Sequence, residues 1–93
     1  MTKEDMILLI EVSDDLCEMD KTLQKLTGLG YASGSFTKLD NIYEVIRHNS
    51  HTIYREMPTD ESREICYDII MNTSLTVEKR ADLLLHGKKK KDN

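Results

Sequence analysis

The spacing of apolar residues in the first third of the chain constrains the fold more than any other feature. Apolar side chains recur at intervals of three and four positions, at Leu9, Val12, Leu16, Met19, Leu23 and Leu26. A heptad repeat of this kind places all of its members on one side of an α-helix, where they can pack against other helices. We call these six residues the apolar seam. The seam predicts one uninterrupted helix of about 24 residues, which is about 36 Å long at 1.5 Å per residue.

Capping residues predict where this first helix begins and ends. The hydroxyl of Thr2 can accept a hydrogen bond from the amide of Asp5, and acidic residues in the first turn suit the helix dipole. Gly28 and Gly30 are predicted to end the helix, because glycine adopts the left-handed cap conformation without steric cost. A short loop is then expected from Tyr31 to Ser35.

A second helix is predicted from a cap at Thr37 and Asp40 to Pro58, which cannot continue a helix. Its inward residues share one helical stripe: Leu39, Ile42, Tyr43, Ile46, Ile53 and Met57. Residues 48–52 read His-Asn-Ser-His-Thr, and such side chains compete for backbone hydrogen bonds. The second helix is therefore expected to be continuous, kinked, or split near Asn49 and Ser50.

Two shorter helices complete the predicted fold. Pro58 and the acidic residues after it predict the start of a third helix, which ends at 72–74 and buries Ile65, Cys66, Ile69 and Ile70. A fourth begins near Thr76 or Ser74, ends at Gly87 and buries Val77, Ala81, Leu84 and Leu85. The sequence thus predicts an all-α, four-helix bundle-like single domain over 1–87, with a long N-terminal helix as its spine and a disordered tail over 88–93.

Charge is segregated along the chain. Of 13 basic and 17 acidic residues, four lysines and one aspartate lie in 88–93, so that 1–87 carries nine basic against sixteen acidic groups, a net charge of −7. An acidic body repels a phosphate backbone, which argues against nucleic acid binding except through the Lys88–Lys91 tail. The acidic outer faces of the first helix favour instead a protein partner with a basic surface.

The rest of the composition favours a cytoplasmic protein without a cofactor. The apolar run Met6–Ile10 is broken by Glu11, well short of a signal core or a membrane span. Cys17 and Cys66 each lie in an apolar helical stretch and are expected to be reduced core residues, although a disulfide stays open. No glycine-rich phosphate loop or activated nucleophile is present, so neither a cofactor nor an enzymatic activity is predicted.

The first helix carries more apolar surface than a single inward stripe requires, because the run Met6–Ile10 is apolar on all sides. We therefore predict a homodimer whose interface comprises Met6, Ile7, Leu9, Ile10, Val12, Leu16, Met19 and Leu23. The corresponding function is a non-enzymatic interaction or regulatory module.

A polar cluster in the second helix supports a rival interpretation. On a continuous helix, Glu44, Arg47, His48 and His51 lie on neighbouring faces, where two imidazoles could meet one metal ion or one phosphate. No recognised zinc spacing accompanies them, and no metal site is predicted.

The segment Arg-His-Asn-Ser-His-Thr-Ile-Tyr, from Arg47 to Tyr54, resembles the Arg-Asn-x-x-x-His motif of HEPN ribonucleases. That resemblance implies a small, helical, dimeric enzyme whose Arg and His act on an RNA phosphate at the dimer interface. The spacing departs from the motif, since three residues separate Arg47 from His51 where the family has four to six, and Asn49 does not directly follow the arginine. An RNA-cleaving or metal-dependent enzyme that uses Arg47, His48 and His51 is one alternative function. A nucleic-acid-binding helper that uses the Lys88–Lys91 tail is the other.

Overall fold

The computed structural model describes residues 1–27 and 33–86, and this part of the chain is an all-α domain of four helices packed against each other, with no strand. The helices are α1 (Lys3–Thr27), α2 (Ser33–Asn49), α3 (Thr59–Ile70) and α4 (Val77–His86), with a 3₁₀ turn at Ile53–Glu56. α1 packs against α2 and α4, and α3 packs against the same two helices. The predicted fold class is confirmed.

α1 is a single helix of 25 residues, as the apolar seam predicts. The predicted cap is present, because the amide of Asp5 donates to the Thr2 hydroxyl at 3.1 Å. Glu4 and Asp5 in the first turn and Lys25 in the last turn complement the helix dipole. The helix stop predicted at Gly28 and Gly30 lies outside the described residues.

α2 differs from its prediction at both ends. It begins at Ser33, within the segment predicted to be a loop, and it ends at Asn49. At its end, the Asn49 amide donates to the carbonyl of Val45 at 2.8 Å and the Ser50 hydroxyl donates to that of Ile46 at 2.9 Å. These side chains take hydrogen bonds that a continuing helix would use for its backbone. The alternative of a split near Asn49 is confirmed, so Ile53 and Met57 do not lie on the same helix as the rest of the predicted stripe.

α3 and α4 begin where the sequence predicts. Pro58 directly precedes α3, and its carbonyl accepts from the amide of Ser62 at 3.0 Å. The Thr76 hydroxyl caps α4 by accepting from the amide of Lys79 at 3.1 Å. The predicted cap at Gly87 and the basic tail 88–93 lie outside the described residues.

The core lies between the four helices and the 3₁₀ turn. Its buried apolar members are Met6, Ile10, Leu39, Tyr43, Ile46, Tyr54, Cys66, Ile69, Ile70, Ala81, Leu84 and Leu85. The inward residues predicted for α3 and α4 are confirmed, except that Ile65 and Val77 are only half-buried. Both cysteines are free.

The apolar seam is not the buried side of α1, which corrects the prediction that it forms the spine of the bundle. The residues that α1 turns inward are Met6, Ile10, Ser13, Cys17 and Asp20, and we call them the buried stripe. The stripe is spaced at intervals of four and three, like the seam, but it is displaced around the helix. Within the seam Leu9, Leu16 and Leu23 are only half-buried, and the rest is exposed.

A buried arginine joins α1 to α4 and to the end of α3. Arg80 is 4% exposed, and its two terminal nitrogens each donate at 3.2 Å to one carboxylate oxygen of Asp14. The same guanidinium donates to the carbonyl of Ile70 at 2.7 Å and to that of Leu75 at 3.2 Å. Arg80 therefore satisfies the carbonyl of the last residue of α3, which has no helical partner, and a second carbonyl in the connection to α4.

Candidate functional site

Half of the apolar seam is exposed on the described surface of α1. Val12 is 44% exposed, Met19 is 49% exposed and Leu26 is 76% exposed. Leu8, which is 58% exposed, lies one turn before Val12 on the same side of the helix. These residues form a ridge along most of α1 that residues 1–27 and 33–86 leave uncovered, and contiguous apolar surface of this kind marks interaction sites.

The structure divides the predicted interface into two groups. Met6 and Ile10 are 0% exposed and belong to the core of the chain itself, so their side chains offer no surface to a second molecule. This part of the interface prediction is corrected. Ile7, Leu9, Leu16 and Leu23 are half-buried and flank the exposed residues Val12 and Met19.

Exposed acidic side chains lie beside the ridge along one of its edges. Glu11, Asp15 and Glu18 are all exposed, whereas Lys21 and Lys25 follow only in the last turns of α1. The first half of the helix is therefore negative and its end positive. Any partner that lies along α1 meets this gradient.

Two members of the polar cluster predicted in α2, Glu44 and Arg47, are held by ion pairs to their neighbours. Arg47, whose side chain is 15% exposed, donates to Glu44 at 2.9 Å and to the Ser62 hydroxyl of α3 at 3.4 Å. The second carboxylate oxygen of Glu44 pairs with Arg63 of α3. Glu44 thus connects two arginines from different helices, and the cluster ties α2 to α3.

These contacts shift the acidity of Glu44. The hydrogen bond from Arg47 is the main reason that the pKa of Glu44 lies below its ordinary value, and the charges of Arg47, Arg63 and His48 lower it further. Burial opposes this shift by raising the pKa. Glu44 is an ionised partner of two cations, which is a structural role.

His48 and His51 do not share a helix, which corrects the geometry assumed for a two-histidine site. α2 ends at Asn49, so that His51 lies in the segment before the 3₁₀ turn, and both histidines are exposed. Within residues 1–27 and 33–86, no three His, Cys, Asp or Glu side chains are grouped in a way that could hold a metal ion.

A cavity of about 300 Å³ opens between α1, α2 and α3, and no sequence pattern predicts it. Cys17, Leu39 and Met71 line it with apolar and sulfur surface, and the rings of Tyr43 and Tyr67 line it edge to face, with centroids 4.3 Å apart and planes at 71°. Its volume is at the lower end of the range for small-molecule sites.

Hydrogen bonds fix the tyrosine at the inner wall of this cavity. The Ser13 hydroxyl donates to the Tyr43 oxygen at 3.2 Å, and the Tyr43 hydroxyl donates to the sulfur of Met71 at 3.6 Å. Burial raises the pKa of Tyr43 to about 12 and also raises that of the neighbouring Cys17 thiol above its ordinary value. A thiol with a raised pKa is a poor nucleophile at neutral pH, so Cys17 contributes shape and polarisability to the wall.

Two carboxylates complete the lining of the cavity. Asp40 is exposed and accepts a hydrogen bond from the Tyr67 hydroxyl at 3.0 Å. Asp20 is 5% exposed, and neither of its carboxylate oxygens has a hydrogen-bond partner among the described residues. An unpaired buried carboxylate costs several kcal/mol. Lys21, which is exposed, is the one basic residue that the described lining contains.

Pattern analysis missed Asp20 because a single acid on a long acidic helix resembles a solvated residue. The available signal is its position three residues after Cys17 and at heptad spacing from Met6 and Ser13.

No family model, no curated protein and no solved structure matches this chain. None of the helices in residues 1–27 and 33–86 has the length and hydropathy that a membrane crossing requires.

Proposed function

We propose that this protein is a non-enzymatic interaction module of the cytoplasm that self-associates through the apolar seam of α1. One observation carries the proposal. The side of α1 made only of apolar residues faces solvent, with Val12, Met19 and Leu26 between 44% and 76% exposed. A monomer gains nothing by keeping a regular apolar repeat in water, whereas a pair of such helices buries both repeats.

A second copy of the chain is the simplest occupant of the ridge, because a heptad repeat is complementary to another heptad repeat. Knobs at positions three and four residues apart fit the holes between the same positions of a facing helix. The exposed side chains of the ridge lie on one side of α1, and the half-buried residues beside them extend the contact that a second copy can make.

The charge gradient of α1 favours an antiparallel pair. In that arrangement the acidic first half of one helix, with Glu11 and Asp15, lies beside the lysine-bearing last turns of the other helix. The antiparallel arrangement also places the positive end of each helix dipole beside the negative end of the other, which is favourable. A parallel pair would instead place each acidic residue near its own copy.

The oligomeric state in solution tests this proposal. We expect sedimentation equilibrium of the full chain at tens of micromolar to give twice the 10.8 kDa mass of one chain. Val12→Glu places a charge on the ridge and should return the protein to a monomer. Val45→Glu is the matched control, because Val45 is 40% exposed on α2, away from the ridge, and should leave the dimer intact.

Two results would contradict the proposal. The first is a wild-type chain that remains a monomer at these concentrations. The second is a dimer that is as stable in Val12→Glu as in Val45→Glu, because the contact would then lie elsewhere. Circular dichroism of each variant establishes that the helices are retained.

A heterologous partner with a basic surface remains the proposed second occupant, supported by the exposed acids Glu11, Asp15 and Glu18. Binding of such a partner depends on charge and weakens steeply as salt is raised, whereas the apolar contacts of the dimer persist. A dimer that is retained at high salt is therefore held mainly by the ridge.

A further inference from the structure

The wall of the cavity between α1, α2 and α3 contains a buried carboxyl group without a hydrogen-bond partner in residues 1–27 and 33–86. Asp20 forms part of this wall, is 5% exposed and has two carboxylate oxygens without a donor among the described residues. Natural proteins pair nearly all buried charges, so a carboxylate of this kind points to a donor that the described part of the chain does not supply.

The other walls favour a cation as that donor. Asp40 lines the same cavity and is held by the Tyr67 hydroxyl at 3.0 Å, so two carboxylates oppose the single charge of the exposed Lys21. The rings of Tyr43 and Tyr67 meet edge to face at 4.3 Å. The electron-rich face of an aromatic ring attracts a cation.

The rest of the lining favours an organic cation over a metal ion. Leu39, Met71 and Cys17 supply apolar and sulfur surface in a volume of about 300 Å³, which suits the body of a small molecule. Within the described ranges no group of three ligating side chains could hold a metal ion. A neutral ligand would leave Asp20 unpaired, and an anion would be repelled by both aspartates.

We infer that this cavity binds a small organic ammonium ion with an apolar or aromatic body, whose charge is paired with Asp20. The body lies against Leu39, Met71 and the tyrosine rings. The carboxylate oxygens are shielded from solvent, so pairing with the ammonium group requires a rotation of the Asp20 side chain. The site is independent of the ridge on α1, which lies on the other side of the helix.

An NMR titration of the full-length chain with two probes of the same shape tests this inference. Phenethylammonium chloride supplies the cation, and phenethyl alcohol supplies the same ring and chain without the charge. We expect the ammonium to bind at least about tenfold more tightly, which is the worth of one charge-assisted hydrogen bond. The amide shifts should be largest at Cys17, Tyr43 and Tyr67.

Two variants assign the charge to its residue. Asp20→Asn keeps the shape of the side chain and should remove the preference for the ammonium, so that both probes bind alike. Asp68→Asn changes the net charge equally at an exposed position of α3 and should keep the preference. The comparison of the two probes on the wild-type chain does not depend on the folding of either variant.

Three results would overturn the inference. Equal binding of the two probes to the wild type would show a merely apolar cavity, and binding of neither would show no site. A preference that survives in Asp20→Asn would place the charge on another residue. A titration with calcium chloride should leave the same amides unshifted, and shifts there would make the site a metal site instead.

Discussion

The two sides of α1 show how little a helical repeat says about which side is buried. The buried stripe and the apolar seam have the same alternation of three and four residues, and both run along the helix. The seam contains only apolar residues yet largely faces solvent, whereas the stripe includes Ser13, Cys17 and Asp20 yet faces the core. Burial in this chain follows the partners that α2 and α4 offer, and hydrophobicity alone does not decide it.

The buried stripe can face the core because most of its polar atoms have hydrogen-bond partners there. Ser13 donates to Tyr43, and Cys17 lies beside the same hydroxyl, whereas Met6 and Ile10 supply the apolar contacts. Asp20 is the exception. The first residues of the stripe therefore stabilise the fold by apolar packing, whereas its last residue, Asp20, has no hydrogen-bond partner in the part of the chain that the structure describes.

The largest expected change in stability follows from loss of the ion pair between Arg80 of α4 and Asp14 of α1. Arg80→Ala leaves Asp14 without its cation and the Ile70 carbonyl without a donor, and should lower the free energy of unfolding by about 3 to 5 kcal/mol. Urea denaturation followed by circular dichroism measures the loss. Lys79→Ala, at the exposed neighbouring position, should change it by less than about 0.5 kcal/mol.

The next effect compares the two sides of α1 directly. Ile10→Ala opens a cavity in the core and should cost about 2 to 4 kcal/mol. Met19→Ala, on the seam, should cost the monomer less than about 0.5 kcal/mol, measured at a protein concentration low enough to dissociate a dimer. Equal losses in the two variants would mean that both sides of α1 are buried within one chain.

A smaller effect of opposite sign is expected at Asp20. Asp20→Asn removes an unpaired buried charge and should raise the free energy of unfolding by about 1 kcal/mol. Asp15→Asn, one and a half turns earlier at an exposed position, should leave it unchanged. A loss of stability in Asp20→Asn would mean that the carboxylate has a donor and is not the unpaired group described above.

The smallest effect appears only in alkaline solution and concerns the two cysteines. Burial raises the pKa of Cys66 to about 11 from the value of 9.0 that unfolding restores. The folded state thus holds this proton more tightly, so the stability that Cys66 contributes is complete below pH 9 and is lost as the pH rises through 11. Between pH 8 and 9.5 the loss should be somewhat less than about 1 kcal/mol.

Cys66→Ser should reduce the loss of unfolding free energy between pH 8 and 9.5, as measured by urea denaturation at the two pH values. Cys17→Ser should reduce it less, because the Cys17 thiol is only half-buried. An unchanged loss in Cys66→Ser would assign the alkaline effect to the buried tyrosines, since burial raises the pKa of Tyr54 to about 12.

Local signals were enough to predict most of the fold. Thr2, Pro58 and Thr76 each begin a helix through contacts with residues at most four positions away, and these contacts are visible in the sequence. The start of α2 was missed because Ser33 and Gly34 are weak helix formers, so their helical state depends on tertiary context. The break after Asn49 was anticipated as one alternative, because polar side chains there compete for backbone bonds.

The candidate sites were harder to predict, since each depends on residues far apart in the chain. Glu44 binds Arg63 across two helices, and the cavity combines residues from Cys17 to Met71. No short-range pattern specifies these pairings. The apolar seam was found correctly as a repeat, but its exposure depends on which side of α1 the other helices cover, which no repeat specifies.

The link between Arg80 and Asp14 has a consequence for how the protein is made. These residues are 66 positions apart, and the helices they join are the first and the last of the described fold. During translation α1 leaves the ribosome long before α4 exists, and until then its inner side stays open to chaperones and to other nascent chains. Closure of the bundle therefore waits until α4 has been made, and slowing translation between α1 and α4 should prolong the period in which the nascent chain can aggregate.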